Sequence, residues 1–334
     1  MATVEGSGMS ATENGVINEI RTVEAFARAL DEIYNSAVSG EALYQVMSAV
    51  GDCAQAAVNG IKGLSEGSGL ISQLRDIVGA HPISRLVHQC PFTRHSVQKP
   101  RGYAGDAELI DYIYGHPDRR EAVSRSSSIG RSIMLHNIDR PAPLAVRARR
   151  YIVADKLTDI ARRVEGARIL SVACGHAREL ELVDPSLLER LETVIGFDQD
   201  ARSLAVAEGY HIGHGHVVPH RGSIVDLLKD KSLTGFDFVY AAGLYDYLSD
   251  KLARRLTSNL FSRLNSGGRL LVANFLPGIK DIGYMEIFMH WSLIYRDRDQ
   301  IHNFASEIDQ KEVARCQYFM EGNQNVGFLE ITKT

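Results

Sequence analysis

Short apolar runs alternate with segments of helical periodicity along the second half of the chain. The clearest runs are Arg168–Ala173, Val194–Phe197, Phe236–Ala241 and Arg269–Asn274, and a weaker run, VVPHR, ends just before Gly222. They recur about 25 to 45 residues apart, which is the spacing of strands joined by crossover helices. The pattern therefore predicts a doubly wound α/β fold with a parallel sheet, whose strand ends form one ligand crevice.

Two further apolar runs follow the predicted parallel strands. Ala314–Met320 and Val326–Thr332 flank a turn that contains Gly322 and Asn323, as the strands of an antiparallel hairpin do. Ahead of them, Gly283–Arg296 carries methionine and aromatic side chains around much of the circumference of a predicted helix. Such a helix can line a substrate pocket or belong to the core, and the sequence leaves both interpretations open.

The first third of the chain has the three- and four-residue periodicity of amphipathic helices. Two helices are predicted between Val16 and Val58, and a third, shorter one is predicted over Leu70–Val78. These segments lack the alternation that indicates strands, so they predict a helical domain.

The serine-rich segment Ser124–Ser132 is polar and marks the seam between the two parts, although a helix could also begin within it. We therefore predict a flexible leader over residues 1–15, a helical domain over residues 16–132 and a nucleotide-binding domain over residues 133–334.

A helix is also predicted after Pro141 and Pro143, and it carries Arg147, Arg149 and Arg150. Arginine clusters on helices usually form a solvated face, and we expect that here. Contact between one of these arginines and a phosphate or carboxylate is the alternative.

The composition limits the classes of partner. With 37 basic and 41 acidic residues, the formal net charge is −4, which gives no electrostatic reason to expect nucleic acid or an anionic membrane. No uncharged apolar segment reaches the length of about 18 residues that a membrane span needs. The first residues lack the basic and apolar blocks of a secretory signal. The four cysteines show neither CxxC pairing nor zinc spacing. We expect a cytoplasmic protein with reduced thiols, no metal and a small-molecule substrate.

The turn after the first predicted strand is built from small residues. Ala173, Cys174 and Gly175 would let backbone N–H groups approach a ligand closely, as the glycines of dinucleotide-binding folds do. His176 and Ala177 stand where a second glycine would be expected, so the glycine motif is incomplete.

Asp198 ends the second predicted strand, about 20 residues beyond the turn, where an acid binds the ribose hydroxyls of a nucleoside. The alternative is that Asp198 caps the next helix, a role for which Asp200 is equally suited. We expect Asp198 to bind ribose and Asp200 to cap the helix.

Ser223 and Ile224 follow the third predicted strand, and we expect them beside the base of the nucleoside. After the fourth strand, Tyr245, Asp246 and Tyr247 are expected at the mouth of the crevice, where aromatic faces would suit a cation. Two alternatives stay open, namely that Tyr247 is a core residue and that Asp246 is a solvent-facing turn residue.

Pro100–Gly115 joins a glycine-bearing loop to a short helix that Asp106 could cap. Tyr103 in this loop is either a packed aromatic residue or a ligand contact. From spacing alone, packing for Tyr103 and capping for Asp106 are the favoured interpretations.

These features together resemble the class I methyltransferases that depend on S-adenosyl-L-methionine (SAM), over residues 141–334. The resemblance implies a Rossmann-like, seven-stranded class I methyltransferase sheet that ends in the antiparallel hairpin. In that family the turn after strand one contacts the methionine portion of SAM, the acid after strand two holds the ribose, and residues after strand three flank adenine. The chain departs from the pattern at Ala177, which replaces a glycine, and at Ser223, which replaces an acid. The resemblance implies that the cofactor-binding residues of this domain are Ala173, Cys174, Gly175, Asp198, Gln199, Ser223, Ile224, Ala241 and Gly243.

The segments PRGYAGDAELID, GLYDYL and HWSLIYR are similar to a narrower bacterial group with an α-helical N-terminal cap domain. That group includes 3-hydroxy fatty acid methyl ester synthases and azetidine-2-carboxylate synthases. For the loop, this resemblance favours ligand contact over packing and capping. It implies that Arg101, Tyr103 and Asp106 close over the methionine end of SAM.

Three functions follow from the resemblance. The first is methyl transfer from SAM to an oxygen, nitrogen or carboxylate of a small molecule in secondary metabolism or signalling, with Tyr245, Asp246 and His290 as candidate bases. The second is cyclisation of SAM itself to azetidine-2-carboxylate and methylthioadenosine. The third is a non-catalytic SAM-binding protein. A homodimer is also expected.

Overall fold

The structure of the protein is a computed structural model, which describes residues 11–62, 67–211 and 217–334. The chain forms two compact units. Of the described residues, the helical unit comprises those up to 105 together with residues 115–140 and 280–292. The sheet unit comprises residues 106–114, 141–279 and 293–334. Both units are therefore assembled from separate stretches of the chain.

The sheet unit contains one sheet of seven strands. They are β1 (Ala167–Val172), β2 (Leu191–Asp198), β3 (Val217–Arg221), β4 (Phe236–Ala241), β5 (Leu264–Phe275), β6 (Val313–Met320) and β7 (Val326–Lys333). Their order in the sheet is β3-β2-β1-β4-β5-β7-β6. The strands β1 to β5 run parallel, whereas β7 is antiparallel to both β5 and β6. The predicted fold class, a Rossmann-like sheet that ends in an antiparallel hairpin, is confirmed.

The central strands are apolar because helices cover both faces of a parallel sheet. Leu170 and Val172 of β1 and Phe236 and Val239 of β4 are all buried in one hydrophobic core. The order of the strands reverses between β1 and β4, which are neighbours in the sheet. In an open α/β sheet the ligand crevice lies at such a reversal, beyond the carboxyl ends of the strands.

Fourteen α-helices lie within the described residues. They are α1 (Ala11–Val38), α2 (Leu43–Ile61), α3 (Gly67–Ala80), α4 (Ile83–Val87), α5 (Pro91–Gln98), α6 (Ala107–Tyr114), α7 (Arg120–Ser124), α8 (Ser128–Ile138), α9 (Pro141–Arg163), α10 (Pro185–Leu188), α11 (Ala201–His211), α12 (Ile224–Lys229), α13 (Asp250–Ser262) and α14 (Arg298–His302). None of them is long and apolar enough to cross a membrane.

The helical unit forms where the sequence predicts helices. Val46, Val50 and Ala54 recur every four residues on the buried side of α2, which is the periodicity of a helix that packs on one face. Ser127 caps α8, since its hydroxyl oxygen accepts a hydrogen bond from the backbone N–H of Gly130 at 2.9 Å. The polar segment that marks the predicted seam is thus the start of a helix.

Two predicted boundaries differ from the structure. The leader was predicted to extend to residue 15, but α1 begins at Ala11, and residues 1–10 of the predicted leader lie outside the described residues. The seam predicted at residues 132/133 falls inside α8, whereas the compact units divide at residues 140/141. Helical periodicity continues through α8, so no change of pattern marks the boundary.

The prediction of one helix over Gly283–Arg296 is wrong after its first turn. Only Tyr284–Phe288 is helical, in a π-helical turn, and His290 has a left-handed backbone with φ 52°. Further along, the N–H of Ile294 donates to the carbonyl of Asp246 at 2.7 Å, and that of Arg296 donates to the carbonyl of Phe275 at 3.0 Å. These bonds to strand-end loops replace the bonds that a helix would make.

Candidate functional site

The turn after β1 has the left-handed backbone of a glycine-rich loop at three positions, but only one of the three residues is a glycine. Ala173, Gly175 and Ala177 have φ values of 54°, 54° and 50°. This left-handed region costs about 1 to 2 kcal/mol for a residue with a Cβ atom. The incomplete glycine motif of the sequence therefore does not imply a different loop, because the two alanines adopt the conformation that glycine favours.

A side chain at Gly175 would have little room in this turn. A Cβ atom there would lie 3.2 Å from the Cβ atom of Ala107 at the start of α6. Helix α6 thus packs directly on the turn, and the residue before it, Asp106, caps it. The carboxylate of Asp106 accepts a hydrogen bond from the N–H of Leu109 at 2.8 Å and is buried. The capping interpretation of Asp106 is confirmed, and its contact with SAM stays a prediction.

Asp198 joins the end of β2 to the turn after β1. Its Oδ2 accepts a hydrogen bond from the N–H of Gly175, and its Oδ1 accepts one from the N–H of Asp200, both at 2.9 Å. The residue is only 7% exposed. Each carboxylate oxygen has two lone-pair directions, so each can still accept a ligand hydroxyl. The carboxylate lies beside the loop where the sequence places a nucleoside, and ribose binding stays a prediction.

Gln199 and Asp200, which follow Asp198, have different surroundings. Gln199 is exposed. Asp200 caps α11, because its carboxylate accepts hydrogen bonds from the N–H of Arg202 at 3.0 Å and the hydroxyl of Ser203 at 2.8 Å. The prediction that Asp200 caps the helix is confirmed.

Ser223 caps α12 in a reciprocal arrangement with Asp226. Its hydroxyl donates to the carboxylate of Asp226 at 2.6 Å, and the N–H of Asp226 donates back to the Ser223 oxygen at 3.2 Å. Asp226 also accepts from the N–H of Ser223 at 2.9 Å. Ile224 is half-buried and packs against the core of the sheet unit. Both residues lie after β3, as predicted, and their contact with adenine stays a prediction.

The two tyrosines after β4 differ in burial, although the sequence placed both at the mouth of the crevice. Tyr245 is fully buried in the core, and its hydroxyl forms a 2.9 Å hydrogen bond with Thr257. Burial raises the pKa of Tyr245. Tyr247, for which a core position was the open alternative, is 43% exposed. We therefore withdraw Tyr245 as a candidate base, because its hydroxyl is enclosed by core side chains.

Asp246 is buried rather than a solvent-facing turn residue. Its Oδ1 accepts a hydrogen bond from the N–H of Phe275 at 2.7 Å. Burial raises the pKa of Asp246 to about 6, although the charge of Arg149, the Phe275 N–H and the charge of Arg296 each act to lower it. A buried carboxyl with a pKa close to neutrality can accept a proton at physiological pH.

Ala241 and Gly243 lie at the carboxyl end of β4. Ala241 is the last residue of the strand and is buried. A Cβ atom on Gly243 would lie 3.5 Å from Nη2 of Arg149. Arg149 is 6% exposed, so the expectation that the arginines of α9 form a solvated face is wrong for this residue.

Arg150 also forms hydrogen bonds within the sheet unit. Its guanidinium donates to the carboxylate of Glu181 at 2.7 Å and to the carbonyl of Arg178 at 2.6 Å. The side chain of Arg178 in turn donates to Asp111 of α6 at 2.9 Å, and Nδ1 of His176 lies 2.8 Å from Asp111. Burial alone would raise the pKa of Asp111, but the hydrogen bonds from His176 and Arg178 outweigh it and lower the pKa to about 2. This ion-pair network holds α6 against the turn.

Sequence reasoning did not identify Glu179 and Tyr240 as site residues. The hydroxyl of Tyr240, in β4, donates to the carboxylate of Glu179 at 2.6 Å. Burial raises the pKa of Glu179, while hydrogen bonds and the charges of Arg150 and Arg149 act to lower it. The only signal in the sequence was the position of Glu179, a carboxylate four residues after Gly175.

Cys174 is buried between these groups. Burial, together with the charges of Asp198 and Glu179, raises the pKa of its thiol. The thiol is therefore protonated at neutral pH, and Cys174 contributes bulk to the turn rather than a nucleophile.

Three predicted site residues belong to the helical unit. Arg101 and Tyr103 are partly buried and lie in its loop before residue 106, and His290 lies in its 280–292 segment. Burial and the charges of Arg75 and Lys99 lower the pKa of His290 to about 4, so its ring is neutral at physiological pH. The assignments of these three residues stay predictions.

No protein-family profile matches the chain, and no curated protein matches it. Among solved structures, the chain is similar to a protein described as a possible exported protein from Bordetella parapertussis, with 15% identity over 98% of this chain and 99% of that chain and a TM-score of 0.56. At this identity the likeness concerns the fold alone.

Two methyltransferases are also similar over part of the chain. Magnesium protoporphyrin IX methyltransferase from Synechocystis PCC 6803, with bound S-adenosyl-L-homocysteine (SAH), is 12% identical over 65% of this chain and 94% of that chain, with a TM-score of 0.44. The N-methyltransferase NodS from Bradyrhizobium japonicum WM9, in complex with SAH, is 13% identical over 58% of this chain and 89% of that chain, with a TM-score of 0.41.

Proposed function

We propose that the protein is a SAM-dependent methyltransferase that acts on a small-molecule acceptor. The observation that carries the proposal is the position of Asp198. This buried carboxylate ends β2 and accepts a hydrogen bond from the N–H of Gly175 in the left-handed turn after β1. In a doubly wound sheet, this is where an acid can hold a ribose while the neighbouring backbone approaches the rest of the ligand.

The residues present fit such a cofactor. The carboxylate of Asp198 retains acceptor capacity for the ribose hydroxyls, and Ala173, Gly175 and Ala177 of the turn carry no bulky side chain. Arg149 provides a buried cationic group beside Gly243. SAM supplies a methyl group on a sulfonium, which is itself the leaving group, so the protein needs mainly to align the acceptor and to exclude water.

Asp246 is the base in this proposal when the acceptor must lose a proton. Its pKa of about 6 leaves the carboxylate ionised at pH 7 yet close enough to neutrality to accept a proton. His290 is the weaker candidate, because a pKa of about 4 makes its ring a poor base. The acceptor class, a small carboxylic acid, alcohol or amine, belongs to the proposal, and the negative net charge of −4 supports a small molecule over nucleic acid.

Identification of the nucleoside product tests the proposal. The protein is incubated with SAM alone and with panels of small carboxylic acids, alcohols and amines, and the nucleosides are separated by chromatography. We expect SAH to form only when an acceptor is present. Methylthioadenosine formed from SAM alone, at a rate that Asp198→Asn abolishes, would contradict methyl transfer and favour intramolecular cyclisation.

A further inference from the structure

Arg296 is a buried arginine that binds both the loop after β4 and the end of β5. It is 1% exposed. Its Nη1 donates to the carbonyl of Tyr245 at 2.9 Å and to Oδ1 of Asn274 at 2.8 Å. Its Nη2 donates to the carbonyl of Leu248, and its Nε donates to the carboxylate of Asp250 at 2.9 Å. One guanidinium therefore joins the loop, the start of α13 and the end of β5.

Asp246 lies inside the loop that Arg296 binds. Its carbonyl accepts a hydrogen bond from the N–H of Ile294, and its Oδ1 accepts one from the N–H of Phe275, both at 2.7 Å. Its Oδ2 makes no hydrogen bond among the described residues. The carboxylate is thus anchored through one oxygen, and the other oxygen retains the capacity to accept a proton.

The bonds of Arg296 favour fixed geometry in the loop. Burial of a cation removes its hydration, and an apolar side chain of similar volume avoids that cost. The ionic partner of Arg296 is Asp250, whose side chain is 63% exposed, and exposed partners contribute little. A guanidinium, however, has five N–H donors in a rigid plane. It can therefore fix several acceptors relative to one another, which an apolar side chain cannot do.

We propose that Arg296 is a positioning residue for Asp246. By holding the loop after β4 against β5, it keeps Oδ2 of Asp246 directed at the acceptor. The role rests on the proposed function, in which Asp246 is the base. The acceptor loses a proton to Oδ2 and gains the methyl group while the sulfonium becomes a thioether, so the step needs no further reactant.

Arg263 is a matched control within the same unit. It is 3% exposed, and its guanidinium also binds loop carbonyls, namely those of Leu227, Leu233 and Asp230. It lies just before β5, at the opposite edge of the sheet from the loop after β4. Arg263→Met should therefore lower the stability of the fold without an effect on Asp246.

A backbone NMR signal reports on Asp246 without turnover. The N–H of Phe275 donates to its carboxylate, so in protein with isotope-labelled phenylalanine this signal should titrate with the pKa of about 6. Asp246→Asn identifies the signal by removing the titration. The charges that act on Asp246 are those of Arg149 and Arg296. We expect Arg296→Met to move or abolish the titration, because the loop loses its donors and Asp246 loses a cation, whereas Arg263→Met should leave it unchanged.

Turnover distinguishes positioning from a purely structural role. With an acceptor that must lose a proton, we expect Arg296→Met to lower kcat about 10- to 100-fold, because a displacement of about 1 Å can cost that much. In the Asp246→Asn background the same substitution should have little further effect, since residues that act as a unit are not additive. Arg263→Met should leave kcat unchanged in both backgrounds.

An unchanged titration of the Phe275 N–H in a folded Arg296→Met protein would overturn the inference. Equal losses of kcat in the two backgrounds, or an equal loss for Arg263→Met, would also overturn it. If Arg296→Met does not fold, Arg296→Lys decides by the same readouts, because a lysine keeps the charge but lacks the planar fork of donors. If no acceptor yields SAH, the proposed function fails, and the Phe275 titration still decides whether Arg296 holds Asp246.

Discussion

At the scale of single residues, Asp246 combines burial with a charge. An unperturbed aspartate titrates near pH 3.9, whereas burial raises the pKa of Asp246 to about 6. Between these two values the folded protein holds a proton that the unfolded chain has lost. Stability therefore falls as pH rises through this window, and above it the folded state carries the full cost of a buried charge.

We expect Asp246→Asn to be more stable than the wild type at pH 8, because the amide is neutral and can still accept from the N–H of Phe275. The gain should be about 1 to 3 kcal/mol, or about 2 to 4 °C in Tm for each kcal/mol. It should vanish near pH 4, where the carboxyl of the wild type is protonated. Thermal unfolding at the two pH values measures it.

Asp226→Asn is the matched control for this experiment. Hydrogen bonds from the hydroxyl and the N–H of Ser223 lower the pKa of Asp226, so this carboxylate stabilises the fold at high pH and loses its effect as pH falls. The two variants should therefore shift Tm in opposite directions at pH 8. A loss of stability for Asp246→Asn at pH 8 would show that neighbouring groups compensate the charge of Asp246. It would contradict the inference that burial destabilises the charged form and raises the pKa.

Individual site residues were predictable where spacing along the chain determines them. The position of Asp198 beside the turn follows from its distance along the chain, and the capping role of Asp200 follows from its place before a helix. Tyr245 and Tyr247 lie two residues apart in an irregular loop, where no periodicity indicates which side chain turns inward. The face of α9 that carries Arg149 was assigned to solvent, because a buried arginine on a helix has the same sequence pattern as one that faces water.

At the scale of elements, the turn after β1 stores conformational strain. Ala173 has φ 54° and is exposed, so its methyl group gains little from packing. Glycine would adopt this backbone without the cost of about 1 to 2 kcal/mol. That gain equals or exceeds the entropic cost of ordering glycine instead of alanine, which is about 0.5 to 1 kcal/mol.

We therefore expect Ala173→Gly to leave Tm unchanged or to raise it by a few degrees. Ala205→Gly is the control, because Ala205 is also exposed but lies inside α11. There the substitution should lower Tm by about 2 to 4 °C, since glycine costs about 1 kcal/mol in a helix. Equal losses for the two variants in thermal unfolding would mean that the turn is not strained.

Elements with a regular period were predictable, and irregular ones were not. The strands of the parallel sheet and the terminal hairpin lie where the apolar runs place them. The segment after Phe288 was assigned to a helix because methionine and aromatic residues fill its pattern. Its backbone instead bonds to loops after β4 and β5, and such long-range hydrogen bonds leave no trace in local sequence.

At the scale of the whole molecule, the spacing of strands predicted the topology. Crossover connections of one hand leave few ways to order five parallel strands, and the two apolar runs that flank Gly322 and Asn323 predicted the antiparallel hairpin. Which stretches of the chain form each of the two units was not predictable. Residues 106–114 belong to the sheet unit and residues 280–292 to the helical unit, and a chain that alternates between units gives no boundary that composition could mark.

The central claim is that the crevice at β1 and β2 binds SAM through Asp198, and calorimetry tests it most directly. SAM is titrated into the wild type, into Asp198→Asn and into the neighbouring control Asp200→Asn, with thermal unfolding to verify that each is folded. We predict that Asp198→Asn weakens SAM at least about 10-fold, because hydrogen bonds to a charged group contribute about 1.5 to 3 kcal/mol, and that Asp200→Asn has little effect. Failure of the wild type to bind SAM, or equal affinity in a folded Asp198→Asn protein, would contradict the account.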